Sequence, residues 1–252
     1  MASALLAVRP HPELWPFLAP RRRREVVEVG HDPDATVGHV VQSLGIPLTE
    51  VGPLAVDGAG AGPAHRPRPG ARIDVGPVSR PQRVPGATGF LLDVHLGTLA
   101  RRLRVLGVDA AYRNPADDDA LVRQAATEQR VLLTRDRGLL MRRALWAGAH
   151  VRGDRPADQL ADVLDRFAPA LDPWTRCPAC NGLLDEVAKA DVADRLEPGT
   201  RRCYERFARC RACDRVFWHG AHGRGLDAVV AAARAQLGTA GRPDGPPTAG
   251  GR

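Results

Sequence analysis

Residues 90–107 constrain this chain most. Phe90, Leu91 and Leu92 form a short apolar run that ends on Asp93. The chain then passes directly into a pattern with Leu96, Leu99, Ala100, Leu103 and Leu106 at helical spacing. This is the signature of a buried strand feeding a helix with one apolar face. Arg101, Arg102 and Arg104 fall off that face, and Gly107 is placed to end the helix. Asp93 therefore stands at the carboxyl end of a strand, the edge at which open α/β sheets hold ligands.

The alternation continues to about residue 170. Residues 108–112, 130–134 and 149–152 read as further strands, and helices are expected after Asp117-Asp118-Asp119, over 139–146 and over 158–167. Strands alternating with helices imply a parallel sheet covered on both faces. All strand carboxyl ends then share one edge. Asp93 follows the first strand, Asp117, Asp118 and Asp119 the second, Asp136 the third and Asp154 the fourth. Asp109 opens a strand and belongs to the opposite edge.

Carboxylates repel one another, so gathering them makes physical sense when a divalent cation fills the gap. Hard oxygen donors suit Mg²⁺ or Mn²⁺, and such ions can activate water against a phosphodiester. Each acid also has a plainer role open to it. Asp93, Asp136 and either Asp117 or Asp118 precede helices as caps do, and Asp154 can be a solvated loop residue. Arg101, Arg102 and Arg104 either solvate a helix face or supply a contact to phosphate.

Four of the five cysteines form two Cys-x-x-Cys pairs, Cys177/Cys180 and Cys210/Cys213. Two such pairs suit a closed tetrahedral Cys₄ site, in which zinc would be structural because no coordination position is left open. Paired knuckles also favour metal over disulfides, and with that a reducing compartment, here the cytoplasm. A redox role for the first pair leaves the second unexplained. Cys203 is left over as a bystander thiol. Arg176, Arg201, Arg202, Arg206, Arg209 and Arg211 surround the knuckles and could grip an RNA backbone. After them, Phe217 and Trp218 are either core or base-stacking residues, and His219 and His222 are candidate extra ligands or substrate contacts.

The net charge of +7 and a pI near 9.9 fit a polyanionic partner. Lys189 is the sole lysine, so arginine-rich composition contributes to that charge without any partner. No apolar run is long enough to span a membrane, and the first residues lack the basic start of a signal peptide.

Ahead of the sheet, residues 25–29 alternate as a half-buried strand, 36–45 read as a short helix with a glycine stop, and 51–56 and 72–75 as strands. Arg21 to Arg24 form a basic run, either a solvated loop or a specific site. This order resembles a β-grasp, ubiquitin-like domain, and the stretch from Gly45-Ile46-Pro47 to Glu50-Val51-Gly52 is similar to its sulfur-carrier branch. The chain continues past this unit, so activation at an exposed Gly-Gly end is not expected, and a binding role, with a possible protein partner, is.

Two phrases together resemble the Mut-seven C-terminal RNase family. One is Asp93-x-x-Leu96-Gly97-x-Leu99-Ala100-Arg101-x-Leu103-Arg104-x-Leu106-Gly107. The other is Arg130-Val131-Leu132-Leu133-Thr134-Arg135-Asp136-Arg137-Gly138-Leu139-Leu140. The resemblance implies a PIN-like nuclease domain followed by a zinc ribbon, with a ubiquitin-like unit in front. It implies Asp93 and Asp136 as the Mg²⁺ or Mn²⁺ ligands, with Asp118, Asp119 and Asp154 as further catalytic acids matched more loosely. Arg101, Arg104 and Arg135 become candidate RNA contacts.

The expected organisation is α/β: a ubiquitin-like β-grasp domain at 1–78, a Pro/Gly-rich linker at 79–89, a PIN-like domain at 90–172, a zinc ribbon at 173–223, and a short helix with a disordered tail at 224–252. The expected function is metal-dependent hydrolysis of RNA. The alternative is a non-catalytic RNA-binding or adaptor protein whose PIN-like domain has degenerated.

Overall fold

The computed structural model describes residues 4–218 and 223–238. The tail expected to be disordered, and His219 and His222, lie outside the described residues, apart from the helix that precedes the tail. The chain divides into two compact units, residues 1–97 with 112–152, and residues 98–111 with 153–252.

In the first unit, β1 (Leu5–Pro10), β2 (Val27–Gly30), α1 (Val37–Ser43), β3 (Val51–Val56), β4 (Ala59–Gly60) and β5 (Arg72–Pro77) build a five-stranded sheet ordered β2-β1-β5-β3-β4. β1 runs parallel to β5 and antiparallel to β2. This is the β-grasp arrangement. Its core is Leu6, Val8, Phe17, Val27, Val40, Val41, Ile46, Leu54 and Ile73, all buried. Thr36 caps α1 by accepting the His39 N–H. β1 and the two-residue β4 are the strands of this sheet that sequence reading misses. In β1, Leu6, Val8 and the closing Pro10 are buried, an alternation too short to stand out.

The second sheet has the order β7-β6-β8-β9, from β6 (Gly89–Leu92), β7 (Ala110–Tyr112), β8 (Arg130–Thr134) and β9 (Gly148–His150). β6 pairs parallel with β8, and β8 with β9. In chain order α2 (Gly97–Val105) follows β6, while α3 (Asp118–Thr127) and α4 (Arg137–Leu140) precede and follow β8 and pack against it. Leu91, Leu92, Leu132 and Leu133 are fully buried, as the apolar runs require of strands covered on both faces. The helix expected over 139–146 is only the four-residue α4. It ends at Met141, and the chain then turns so that the Ala147 carbonyl can accept the Leu132 N–H and open β9.

Within this unit the β-grasp segment touches the carboxyl ends of β8 and β9. Buried Glu50 accepts the His150 N–H at 2.8 Å, Arg137 donates to the Phe17 carbonyl at 3.0 Å, and the Phe17 ring meets His150 edge-on at 5.2 Å. Residues 79–88 carry no helix or strand.

The second unit holds α5 (Pro156–Phe167), which packs on α7 (Gly223–Gln236), and a three-stranded antiparallel sheet of β10 (Leu184–Val187), β11 (Phe207–Cys210) and β12 (Val216–Trp218). A 3-10 turn and α6 (Pro198–Cys203) lie between β10 and β11. They account for the long interval between the cysteine pairs. Val192, Leu196 and Phe207 form the small core there.

Candidate active site and metal centre

The apolar run of β6 delivers Asp93 at its end, and the parallel register places Leu92 beside Leu133 of β8. Asp93 is 6% exposed. One carboxylate oxygen accepts the Val94 N–H at 2.5 Å and starts the turn into α2. The other accepts the hydroxyl of Thr134 at 2.7 Å. The same hydroxyl accepts the Asp136 N–H at 2.9 Å. Asp93 and Asp136, the two acids carried by the family motifs, are thus joined through a fully buried Thr134 across the ends of neighbouring parallel strands.

Asp136 is exposed and caps α4, its Oδ1 accepting the Gly138 N–H at 2.7 Å and the Leu139 N–H at 3.4 Å. The cap uses only one carboxylate oxygen of Asp136. At the start of α3 the triple aspartate separates into roles. Asp117 caps the helix by accepting the Ala120 N–H at 2.6 Å, Asp118 is exposed in the first turn, and Asp119 pairs with Arg142. Asp154 is exposed in the segment before α5 and belongs to the second compact unit. Among the described residues, the four paired cysteines form the one group of three or more Cys, His, Asp or Glu side chains close enough to hold an ion.

Arg101 and Arg135 are exposed. Arg104 corrects the sequence reading: it is 3% exposed, and its Nε donates to the Ala110 carbonyl at 2.8 Å. Its Nη1 donates to the carbonyls of Pro178 at 3.2 Å and Ala179 at 2.9 Å. Those two residues lie between Cys177 and Cys180. The guanidinium is committed to three backbone acceptors and holds the first knuckle instead of meeting RNA. Asp109, excluded from the acidic edge, likewise faces the ribbon, paired with Arg176 at 3.0 Å and accepting from Asn181 at 2.8 Å.

The two knuckles are built alike. Asn181 and Asp214 follow the second cysteine of each pair and adopt left-handed φ angles of 74° and 58°. Asn and Asp tolerate that region better than other side chains. Their N–H groups return to the Cys177 and Cys210 carbonyls at 2.9 and 3.0 Å. The Cys177 and Cys210 N–H groups reach forward to the carbonyls of Gly182 and Arg215. These turns aim the thiols inward. Cys177 and Cys213 sulfurs are 3.7 Å apart, those of Cys180 and Cys210 3.4 Å, and all four lie within 4.8 Å of one another. A tetrahedral ion with bonds of ~2.3 Å to sulfur needs thiolates about 3.8 Å apart. The donor set therefore fits zinc, and the four cysteines can hold such a metal.

Gly182 is part of the fit. A Cβ there would lie 2.8 Å from Ala212 Cβ and 3.0 Å from the Cys210 sulfur. Burial pushes the Cys177 thiol up to about 12 and the Cys180 thiol above its ordinary value. Cys210 is opposed by burial too, yet falls to about 7 because the N–H groups of Cys213 and Ala212, with the neighbouring thiols, favour its thiolate. Cys203 is exposed in α6 and outside the group.

Sequence reading passes over Thr134 as one more strand residue. A lone hydroxyl closing an otherwise apolar run, two residues before an acid, is the available signal. Gly182 and the shared Asn or Asp after each Cys-x-x-Cys are missed in the same way.

Among the described residues, no helix is long and apolar enough to cross a membrane. No curated protein and no solved structure matches the chain. Residues 3–83 match the family model described as Mut7-C ubiquitin. Residues 88–230, more than half of the chain and including both acids and all four paired cysteines, match that described as the Mut7-C RNAse domain. The chain belongs to the Mut7-C RNAse domain family, with a ubiquitin-like segment ahead of the RNAse domain.

Proposed function

We propose that the chain hydrolyses RNA phosphodiester bonds at the strand edge that carries Asp93 and Asp136, with a Mg²⁺ or Mn²⁺ ion held by those two carboxylates. The observation that carries this reading is the hydrogen-bonded chain Asp93–Thr134–Asp136 in a protein of an RNAse-domain family. Hard carboxylate oxygens suit these ions. When bound, such an ion supplies charge stabilisation to the phosphodiester and a nucleophile at neutral pH.

The residues divide the remaining work. Thr134 orients the Asp93 carboxylate, and Asp136 binds through the oxygen that the α4 cap does not use. Asp118 and Asp119 are assigned as further catalytic acids, and Arg135, beside Asp136, as a phosphate contact; in the other compact unit Asp154 and Arg101 are proposed, each by itself, as a catalytic acid and an RNA contact. The four cysteines hold structural zinc, and the arginine-flanked ribbon, residues 173–223, aids RNA binding. The β-grasp domain, residues 1–78, is assigned a binding role, and free thiols of this kind suit the cytoplasm.

The test is cleavage of a labelled structured RNA in Mn²⁺ or Mg²⁺, beside EDTA and an Asp136→Asn variant. The reading expects cleavage that needs both the ion and Asp136. RNA that is bound but left intact in every condition would overturn it in favour of an adaptor role.

A further inference from the structure

The basic run Arg21 to Arg24 finds no role at the acidic edge, yet two of its members line a cleft beside it. This cleft, about 520 Å³, lies within the first compact unit. One wall comes from the β-grasp segment, with Pro16, Pro20, Arg22, Arg23 and the end of α1. The other comes from Arg137, Gly138 and Met141 of α4 and its end. Among the described residues, three arginines line it and no acid does.

Two of these guanidinium groups are anchored by the backbone that forms the wall. Arg23 Nε donates to the Leu18 carbonyl at 3.3 Å, and Arg137 Nη1 donates to the neighbouring Phe17 carbonyl at 3.0 Å. Anchored arginines lose less freedom on meeting an anion than loose ones. The far wall is continuous with the proposed nuclease site, because Gly138 donates its N–H to Asp136. A strand of nucleic acid leaving Asp136 would meet this cleft next.

We propose that the cleft is a phosphate-backbone track for single-stranded RNA, with Arg22, Arg23 and Arg137 as its contacts, so that the β-grasp domain supplies part of the RNA-binding surface. The inference rests on the nuclease reading for its substrate, and the charge and lining of the cleft select a polyanion. A single strand fits better than a duplex, since apolar side chains of Pro16, Pro20, Leu44 and Met141 share the lining with the arginines.

The test is binding of a fluorescein-labelled 20-nucleotide oligouridine, followed by fluorescence anisotropy in buffer without Mg²⁺ or Mn²⁺ over a range of salt. Leaving out these ions separates binding from cleavage, so loss of the nuclease reading would be seen in the cleavage assay and not here. The variant is Arg22→Glu with Arg23→Glu. The control is Arg66→Glu with Arg68→Glu, two exposed arginines of the same domain that do not line the cleft, reversed by the same net charge. The milder pair Arg22→Gln with Arg23→Gln guards against a folding defect, checked by thermal melting.

The proposal expects the cleft reversal to raise Kd at least tenfold and the control to change it less than threefold. Loss of two phosphate contacts should also flatten the slope of log K against log salt by about 1.4. Equal weakening by the cleft and control pairs, or an unchanged Kd in the cleft variants, would overturn it.

Discussion

At the residue scale, Thr134 carries more than its place in a strand suggests. It is the common partner of Asp93 and of the Asp136 backbone. Thr134→Val keeps the shape and removes the hydroxyl, leaving a buried carboxylate one donor short. This should cost about 1–3 kcal/mol in denaturant unfolding and lower cleavage as well, while Thr134→Ser restores both. Arg104 makes a sharper contrast with its neighbour. Arg104→Met would leave three carbonyls without their donor, with an expected loss of about 3 kcal/mol or more. Arg101→Met, at an exposed position, should stay within about 0.5 kcal/mol. Helical spacing alone places both arginines off the apolar face. It cannot show that one of them is buried by a knuckle more than seventy residues away, because burial by distant chain leaves no mark on local periodicity.

At the scale of elements, the knuckles are the most legible part of the molecule. Four cysteines in two matched pairs predict the thiol group that the structure assembles, since the spacing itself sets the turn. The strand-to-helix passages at Asp93 and Asp136 are also visible, because apolar runs and caps are local features. The short pieces are not: β1 buries only three alternating residues, one of them a proline, and α4 is a single capped turn. For the ribbon, purified protein should carry close to one zinc per chain by elemental analysis, and Cys180→Ser should lose it. Binding should release protons, because Cys177 and Cys180 are pushed upward by burial and must give up theirs to a metal. Metal affinity should accordingly fall as pH is lowered. Calorimetric titration in two buffers of different ionisation enthalpy measures the release, and an unchanged enthalpy would contradict it.

At the scale of the whole molecule, the ubiquitin-like segment is tied to the sheet ends of its own compact unit through Glu50, Phe17 and Arg137. Glu50 is 1% exposed. Nothing in the residues around it marks this carboxylate as buried. The partner N–H lies one hundred residues on, so only the folded chain reveals the pairing. Glu50→Ala should cost about 1–3 kcal/mol by leaving the His150 N–H without its acceptor. The melting temperature should fall accordingly, whereas Glu25→Ala, at an exposed site, should leave it nearly unchanged. The wider account joins this scaffold to an acidic strand edge in an RNAse-domain protein. Its central claim is that Asp93 belongs to the chemistry as well as to the turn it caps. The direct measurement is the rate at which wild type and a folded Asp93→Asn variant cleave 5′-labelled single-stranded RNA in Mn²⁺. The account predicts cleavage by wild type and a loss of about 100-fold or more in the variant. An Asp93→Asn protein that cleaves at the wild-type rate would contradict it.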